Sequence, residues 1–466
     1  MSGDRGLPRD RPAPSPFPFH GVALRSSCGA DPRFPFVRGT PRPSSPRAPL
    51  SPLEHTLRTP LLSLCAGTLA LTLVACSGAD ETDDYSSIPL TIWADEDRAR
   101  AMRTFAEAFA RDVNQQVEVI VVEHEELRAS FLSSHATGLG PDLLVGPHDW
   151  TGELAAAEAI VPVGLDSSHS DLFSPGALEA VSFNGDVYGV PYATENLGLF
   201  RNTDLVPQAP TSIEEMVEAG EDLVEAGAVD QALSLQVGTE GDAYHIHPFF
   251  TSAGGYLFGQ DEAGDPDPTD LGVAAPESIA AFERLASLGE NGSGVLDRDT
   301  DSTNATDLFA SGAAPFLVSG PWSVSTVKEN DVAFEVDPVP GFAEAGPARS
   351  LIGVQAFFVA SGAGDPELAR DLAQSFLADP ELSVILYEAD PRVPALDEAL
   401  EMVSGQDPHL EAFQKAGEGG LPMPAIPEME AVWSPFSQAT ADIIGGADPA
   451  EALTEAERLI LEGFAS

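Results

Sequence analysis

Few groupings of residues in this chain have the types and spacing to make or break bonds. His245-Ile246-His247 is the tightest histidine pair. On a strand, side chains two apart share a face and could hold one metal ion. No Cys stands nearby and no third ligand is evident, so the pair reads as an ordinary loop feature. Asp297-Arg298-Asp299-Thr300-Asp301 opens like a calcium loop. Ser302 takes the sixth position, where Gly would make the turn, and Leu308 the twelfth, where Glu would close the cage. The segment therefore reads as a solvated turn. The sequence contains no G-x-S-x-G elbow, Walker A loop, G-x-G-x-x-G or H-E-x-x-H. What remains is the chemistry of recognition: flat aromatic faces, and planar polar groups that pair with hydroxyls. The chain has four tryptophans to supply such faces, Trp93, Trp150, Trp322 and Trp433.

The elements that must carry these groups alternate. Pro89 to Trp93 reads as a short buried strand, and the apolar spacing of Met102, Phe105, Ala106 and Phe109 predicts a helix over 98–111 after the acidic start Asp95-Glu96-Asp97. Val117 to Val122 is a β-branched strand, Glu126 to Ala136 a helix, and Asp142 to Val145 a third strand. This β-α-β-α-β order predicts a parallel sheet covered by helices, with ligands at the carboxyl ends of its strands. Further helices are expected over 213–226, 276–289 and 305–311. A long strand follows over 351–359, then helices over 366–378, 380–388 and 449–463. No internal repeat appears at a fixed period.

Composition narrows the function. The 466 residues hold 23 Lys+Arg against 74 Asp+Glu, a net charge of −51. Such a chain is repelled by phosphate backbones, which excludes nucleic-acid binding. Its three cysteines, Cys28, Cys65 and Cys76, all lie in the first sixth, so neither a disulfide framework nor a cysteine zinc site serves the rest. Residues 1–54 form a Pro/Arg/Ser-rich leader without helical or strand period, disordered or lying upstream of the true start. Residues 55–75 read as a secretory signal, because the apolar run 61–75 is too short to span a bilayer comfortably. It ends in Leu73-Val74-Ala75-Cys76, which resembles a bacterial lipobox. The Cys76 thiol would be lipidated, and residues 76–87 would form an acidic tether. From Cys76 on, 14 basic and 70 acidic residues leave a net −56, a surface that stays solvated at high ionic strength.

Five places along the mature chain carry a family resemblance: Gly138-Leu139-Gly140-Pro141-Asp142-Leu143; His148-Asp149; Tyr188 to Leu199; Asp307 to Gly312 running to Gly320-Pro321-Trp322; and Pro422-Met423-Pro424-Ala425-Ile426-Pro427 before Trp433. In this order they resemble the maltose/maltodextrin-binding proteins, the extracellular solute-binding subunits of carbohydrate ABC importers. The resemblance covers about residues 88–466. It implies an α/β, two-lobed periplasmic-binding-protein fold (type II) with the ligand cleft between lobes. Lobe 1 would comprise 88–195 and 355–397, and lobe 2 198–350 and 400–466. Trp322 and Trp433 match the family's stacking positions and Tyr244 a third. Asp97 and Arg98 match a charged pair on the sugar hydroxyls, and Asp149, Glu195 and Asp242 further carboxylate contacts. Gly146 stands where maltose binders often carry Trp, with Trp150 as its replacement, and Ser434 replaces an aromatic beside Trp433.

The implied protein is a monomer, not an enzyme. It needs no cofactor or metal, captures a maltodextrin-like oligosaccharide, and passes it to permease subunits at the outer membrane face. A polyamine or iron binder of the same fold stays open. So does a secreted glycoside hydrolase built on Asp149 and Glu195.

Overall fold

The computed structural model describes residues 89–465, apart from residues 114, 166, 263 and 379. The leader, the signal segment, Cys76 and the tether lie outside the described residues.

The first strand, Leu90–Ala94, pairs in parallel with Val117–Val121 on one side and Leu143–Pro147 on the other. This is the expected β-α-β-α-β unit. The long strand Leu351–Val359 then enters the same sheet antiparallel, between Leu143–Pro147 and Gly189–Glu195. Val393–Pro394 closes the far edge, so the sheet is mixed. A second sheet runs in the order Phe334–Asp337, Gly198–Asn202, Phe316–Ser319, Ser234–Leu235. Each sheet has its own apolar packing. Ile92, Phe105, Val145 and Phe357 are fully buried in the first, and Leu199, Phe249, Phe282, Phe316 and Phe436 in the second. These are the two lobes.

Three segments cross between them. Gly189–Glu195 belongs to the first sheet and Gly198–Asn202 to the second, so the chain passes over at Asn196-Leu197. It returns just before Leu351, where Ser350 Oγ donates to the Leu197 carbonyl at 3.2 Å. It leaves again beyond Val393–Pro394, through the helix Asp397–Val403. Along that helix Ala399 packs into the first core and Val403 against Phe200 and Phe413 of the second.

Local chemistry accounts for the helix starts that matter. Asp95 caps the helix Glu96–Val113, its Oδ1 accepting from the Arg98 amide at 3.0 Å. Asp242 caps Ala243–Ser252 in the same way, accepting from the His245 amide at 2.7 Å. The second case corrects the histidine pair. His245 and His247 sit on a helix, and side chains two apart on a helix diverge. His245 Nδ1 faces Asp242 at 2.9 Å, whereas His247 Nδ1 donates to the Arg349 carbonyl at 3.0 Å. The loop reading is thus replaced by a helix, Ala243–Ser252, with Pro248 inside it. The Asp297 turn is as expected: its carboxylate accepts from the amides of Asp299 and Thr300, each at 2.9 Å. Among the described residues no helix is long and apolar enough to cross a membrane.

His247 sets one acid limit on this fold. Burial holds its pKa down at about 4, against an ordinary 6.5. As pH falls below the ordinary value the unfolded chain takes up a proton that the folded chain refuses until about pH 4. Stability attributable to this group is therefore intact above pH 6.5 and lost towards pH 4, by roughly 3 kcal/mol in all. Replacing His247 by Gln should flatten the difference between urea midpoints at pH 7 and pH 4.5. An unchanged slope would assign the acid limit elsewhere.

Candidate functional site

Most of the expected residues sit at carboxyl ends of strands or in first turns of helices, and six of them, Arg98, Asp149, Glu195, Tyr244, Trp322 and Trp433, come together between the lobes. The strand Leu143–Pro147 ends in a tight turn, His148–Trp150, that buries all three side chains. His148 Nδ1 accepts from the Val354 amide at 2.9 Å and its Nε2 donates to the Met423 carbonyl at 2.8 Å. A single neutral tautomer satisfies both bonds, and burial lowers the pKa accordingly. The next residue, Asp149, is thereby aimed across the cleft, where its Oδ2 accepts from the indole Nε1 of Trp433 at 3.1 Å. Its Oδ1 is buried with no hydrogen-bond partner. Burial raises the Asp149 pKa, only partly offset by His148 and the Trp433 bond.

Trp433 lies in the first turns of the helix Met429–Ile444 of the second lobe. Trp322 follows Gly320-Pro321 beyond the strand Phe316–Ser319. Its ring lies directly over Gly320, where an added Cβ would stand 2.1 Å from the ring. Tyr244 packs beside it with centroids 6.4 Å apart, and the His245 ring meets it edge-on at 6.1 Å. The Tyr244 hydroxyl is buried without a partner. Burial raises its pKa well above the ordinary range, and the nearby charges of Glu195, Arg392, Asp242 and Asp149 all act on it. These groups converge.

Glu195 ends the first crossing strand, and both its oxygens are taken. Oε1 accepts from Gln355 Nε2 at 2.7 Å and Oε2 from Arg392 Nε at 2.5 Å. Burial alone would raise its pKa, but Arg392 and Arg98 together bring it below the ordinary value. Arg98 is buried too, donating from Nε to Gln355 Oε1 at 2.7 Å and pairing with Asp95.

Three expected residues stand apart from this convergence. Asp97 is exposed on the first helical turn, because Asp95 two residues earlier takes the capping role and the pairing with Arg98. Asp242 spends both oxygens on its own helix cap, His245 and Gln236. Trp150 packs into the core of its own lobe with its ring over Gly146, where a Cβ would stand 2.3 Å away. Gly in place of the family's Trp thus makes room for an indole supplied from four residues on.

Sequence reasoning missed Asp95, Gln355 and Arg392. Asp95 was legible as a capping residue three positions before Arg98. Gln355 is one of an unbroken run in a strand, and only the fold places it between two charges. The lobes also meet at Arg128, which pairs with Glu153 of its own lobe at 3.3 Å and with Glu430 of the other. Helix Thr151–Ala156 seats Gly152 against Ala425 and Pro427, where a Cβ would meet the Ala425 carbonyl at 2.5 Å. Among the described residues the two lobes thus touch at Arg128–Glu430, Asp149–Trp433 and Gly152–Ala425. Among them no three His, Cys, Asp or Glu side chains could hold a metal ion.

Two α/β lobes tied by three crossings, with aromatic and polar groups brought face to face between them, define a binding protein of the type II periplasmic fold. The family model of the bacterial extracellular solute-binding proteins matches residues 104–412, and the chain belongs to that family. It is similar to the galactooligosaccharide-binding protein of Bacillus subtilis (strain 168), 26% identical over 84% of this chain and 94% of that one. It is 28% identical to the maltotriose-binding protein of Pyrococcus abyssi, over 73% of each chain. A maltooligosaccharide ABC transporter solute-binding lipoprotein of Streptococcus pneumoniae (strain ATCC BAA-255 / R6) is 26% identical over 85% of this chain and 95% of its own.

Proposed function

We propose that this chain is the substrate-capturing subunit of an ABC importer, monomeric and lipid-anchored through Cys76 outside the cell. Its ligand is a neutral oligosaccharide of the maltodextrin class. The lobes divide as 88–195 with 355–397, and 198–350 with 400–466. One observation carries the reading. Trp433 of the second lobe bonds the buried Asp149 carboxylate of the first, Trp322 packs against Tyr244, and Asp149 Oδ1 and the Tyr244 hydroxyl are buried without partners. Buried polar atoms are ordinarily paired, and sugar hydroxyls between flat aromatic faces satisfy both needs at once. The names of the relatives, all binders of oligosaccharides, support the class. The family match and the names of the relatives, all solute binders, do not favour a hydrolase.

A melting-temperature titration tests this. Maltose, maltotriose, longer maltodextrins, cyclodextrin, trehalose and a galactooligosaccharide are each added at two salt concentrations. Spermidine and a sugar phosphate serve as charged comparators. At least one neutral glucan should stabilise the protein with concentration, by about 2.7 kcal/mol at a hundredfold excess over Kd, and do so equally at high salt. Sugar phosphates should not, because the cleft carboxylates repel them. A salt-sensitive response to spermidine with none to any glucan would overturn the sugar assignment. Recovery of maltotriose as glucose would overturn the carrier reading.

A further inference from the structure

Arg392 is buried beside the third crossing. Its Nε donates to Glu195 of the first crossing at 2.5 Å, and a terminal nitrogen pairs with Asp390. Its guanidinium carbon lies 5.6 Å from the ring centroid of Trp322 in the other lobe, within cation–π range. The opposite oxygen of Glu195 is held by Gln355 of the second crossing, whose own carbonyl oxygen takes the Arg98 donor. Arginine only donates and carboxylate only accepts, so the amide between them has a single allowed orientation. One chain of bonds therefore joins all three crossings, and Arg392 is the link that reaches the aromatic platform. A planar fork suits this: it can bond two carboxylates in its plane and lie against an indole with its face.

We propose that Arg392 is a positioning residue of the binding cleft. It holds the Glu195 carboxylate and seats the Trp322 indole together, so that closure presents an acceptor and a stacking face to the same sugar ring. This rests on the oligosaccharide reading above. A merely structural ion pair would stabilise the fold without tuning recognition. The two are separated by Glu195, which loses its nearest cation when Arg392 goes. The groups facing Glu195 are then Arg98 of the first helix, itself paired with Asp95, Tyr192 from its own strand, and Gln355 from the second crossing. His148, Tyr244 and Asp390 complete the set. With one of its two nearby arginines removed, a buried carboxylate takes up protons more readily.

Calorimetric titration of the chain from Cys76 on with maltotriose, between pH 5 and pH 8, tests the proposal. Three variants are compared with wild type: Arg392→Lys, Arg392→Gln, and Arg392→Gln combined with Glu195→Gln. Circular dichroism and melting curves without sugar establish folding. Arg392→Gln should bind on the order of tenfold more weakly at pH 8 and show an affinity that changes between pH 7 and pH 5. Arg392→Lys should keep the wild-type pH profile while remaining weaker, because an ammonium restores the charge but not the fork. The double variant should lose the new pH dependence. Without sugar, the melting deficit of Arg392→Gln should shrink from pH 8 to pH 5 and stay constant in the double variant. Wild-type affinity in Arg392→Gln, or equal losses in the two single variants with flat pH profiles, would overturn the proposal. So would a pH dependence that persists in the double variant, which would place the titrating group at Asp390. If wild type fails to bind maltotriose and every other sugar of the panel above, the sugar reading falls, and the ligand-free melting series still decides whether Arg392 governs Glu195.

Discussion

Alanine in place of Trp322 or Trp433 should weaken binding of the cognate glucan roughly ten- to hundredfold, since each indole offers a stacking face that only the bound state uses fully. Both side chains are only partly buried against the second-lobe core, so either variant should melt close to wild type without sugar. The two losses should differ in kind. Trp433 also donates its indole N–H to Asp149 at 3.1 Å, and removing it leaves a buried carboxylate with one partner fewer. Trp433→Phe keeps a face and loses the donor, so it should recover only part of the affinity. Trp322 makes no such bond, and its Phe variant should recover more. Calorimetry on the four variants reads this directly. Wild-type affinity in both alanine variants would place the site elsewhere.

Gly241→Ala should unfold or loosen the second lobe. Gly241 has φ +80°, and an added Cβ would stand 1.6 Å from the Ser437 carbonyl oxygen of the Trp433 helix. The left-handed backbone and the overlap with rigid main chain together should destabilise by about 3 kcal/mol or more. The close approach has a purpose. Ser437 Oγ accepts from the Ala243 amide at 3.0 Å, fixing the Tyr244 helix against the Trp433 helix. Affinity should therefore fall together with the denaturation midpoint. Gly227 is the control: its φ is +68°, but the space around it is open. Gly227→Ala should cost only about 1 kcal/mol, and if Gly241→Ala cost no more, the close packing of the two helices would be refuted.

Sequence reading reached the elements whose period is unbroken. The strand Leu351–Val359 and the helix Pro366–Ala378 begin and end where the apolar pattern does. It failed where proline interrupts a helix. Pro248 and Pro435 both lie inside helices, and these two helices carry Tyr244 and Trp433. The antiparallel insertion of Leu351–Val359 between two earlier strands was also out of reach, because no local pattern encodes partners about 160 and 210 residues away. At the site, Trp322 was legible from Gly320-Pro321, since a ring needs a bare backbone to lie on. Arg392 was not read, though a chain with 14 bases beyond its signal rarely buries one without reason. Asp97 shows the complementary error: in so acidic a chain, the carboxylate that matters is chosen by capping geometry rather than by proximity to an arginine.

Two of the four tryptophans lie at the cleft, Trp322 over Gly320 and Trp433 bonded to Asp149. Indole emission moves to longer wavelength as the ring meets water and is sensitive to a carboxylate at its N–H. Opening the lobes would break the Trp433–Asp149 bond and wet both faces, while Trp93 and Trp150, packed in the first lobe, would hardly respond. The molecule thus carries an optical gauge of its own closure. No dye or engineered label is needed to time the arrival and release of its cargo.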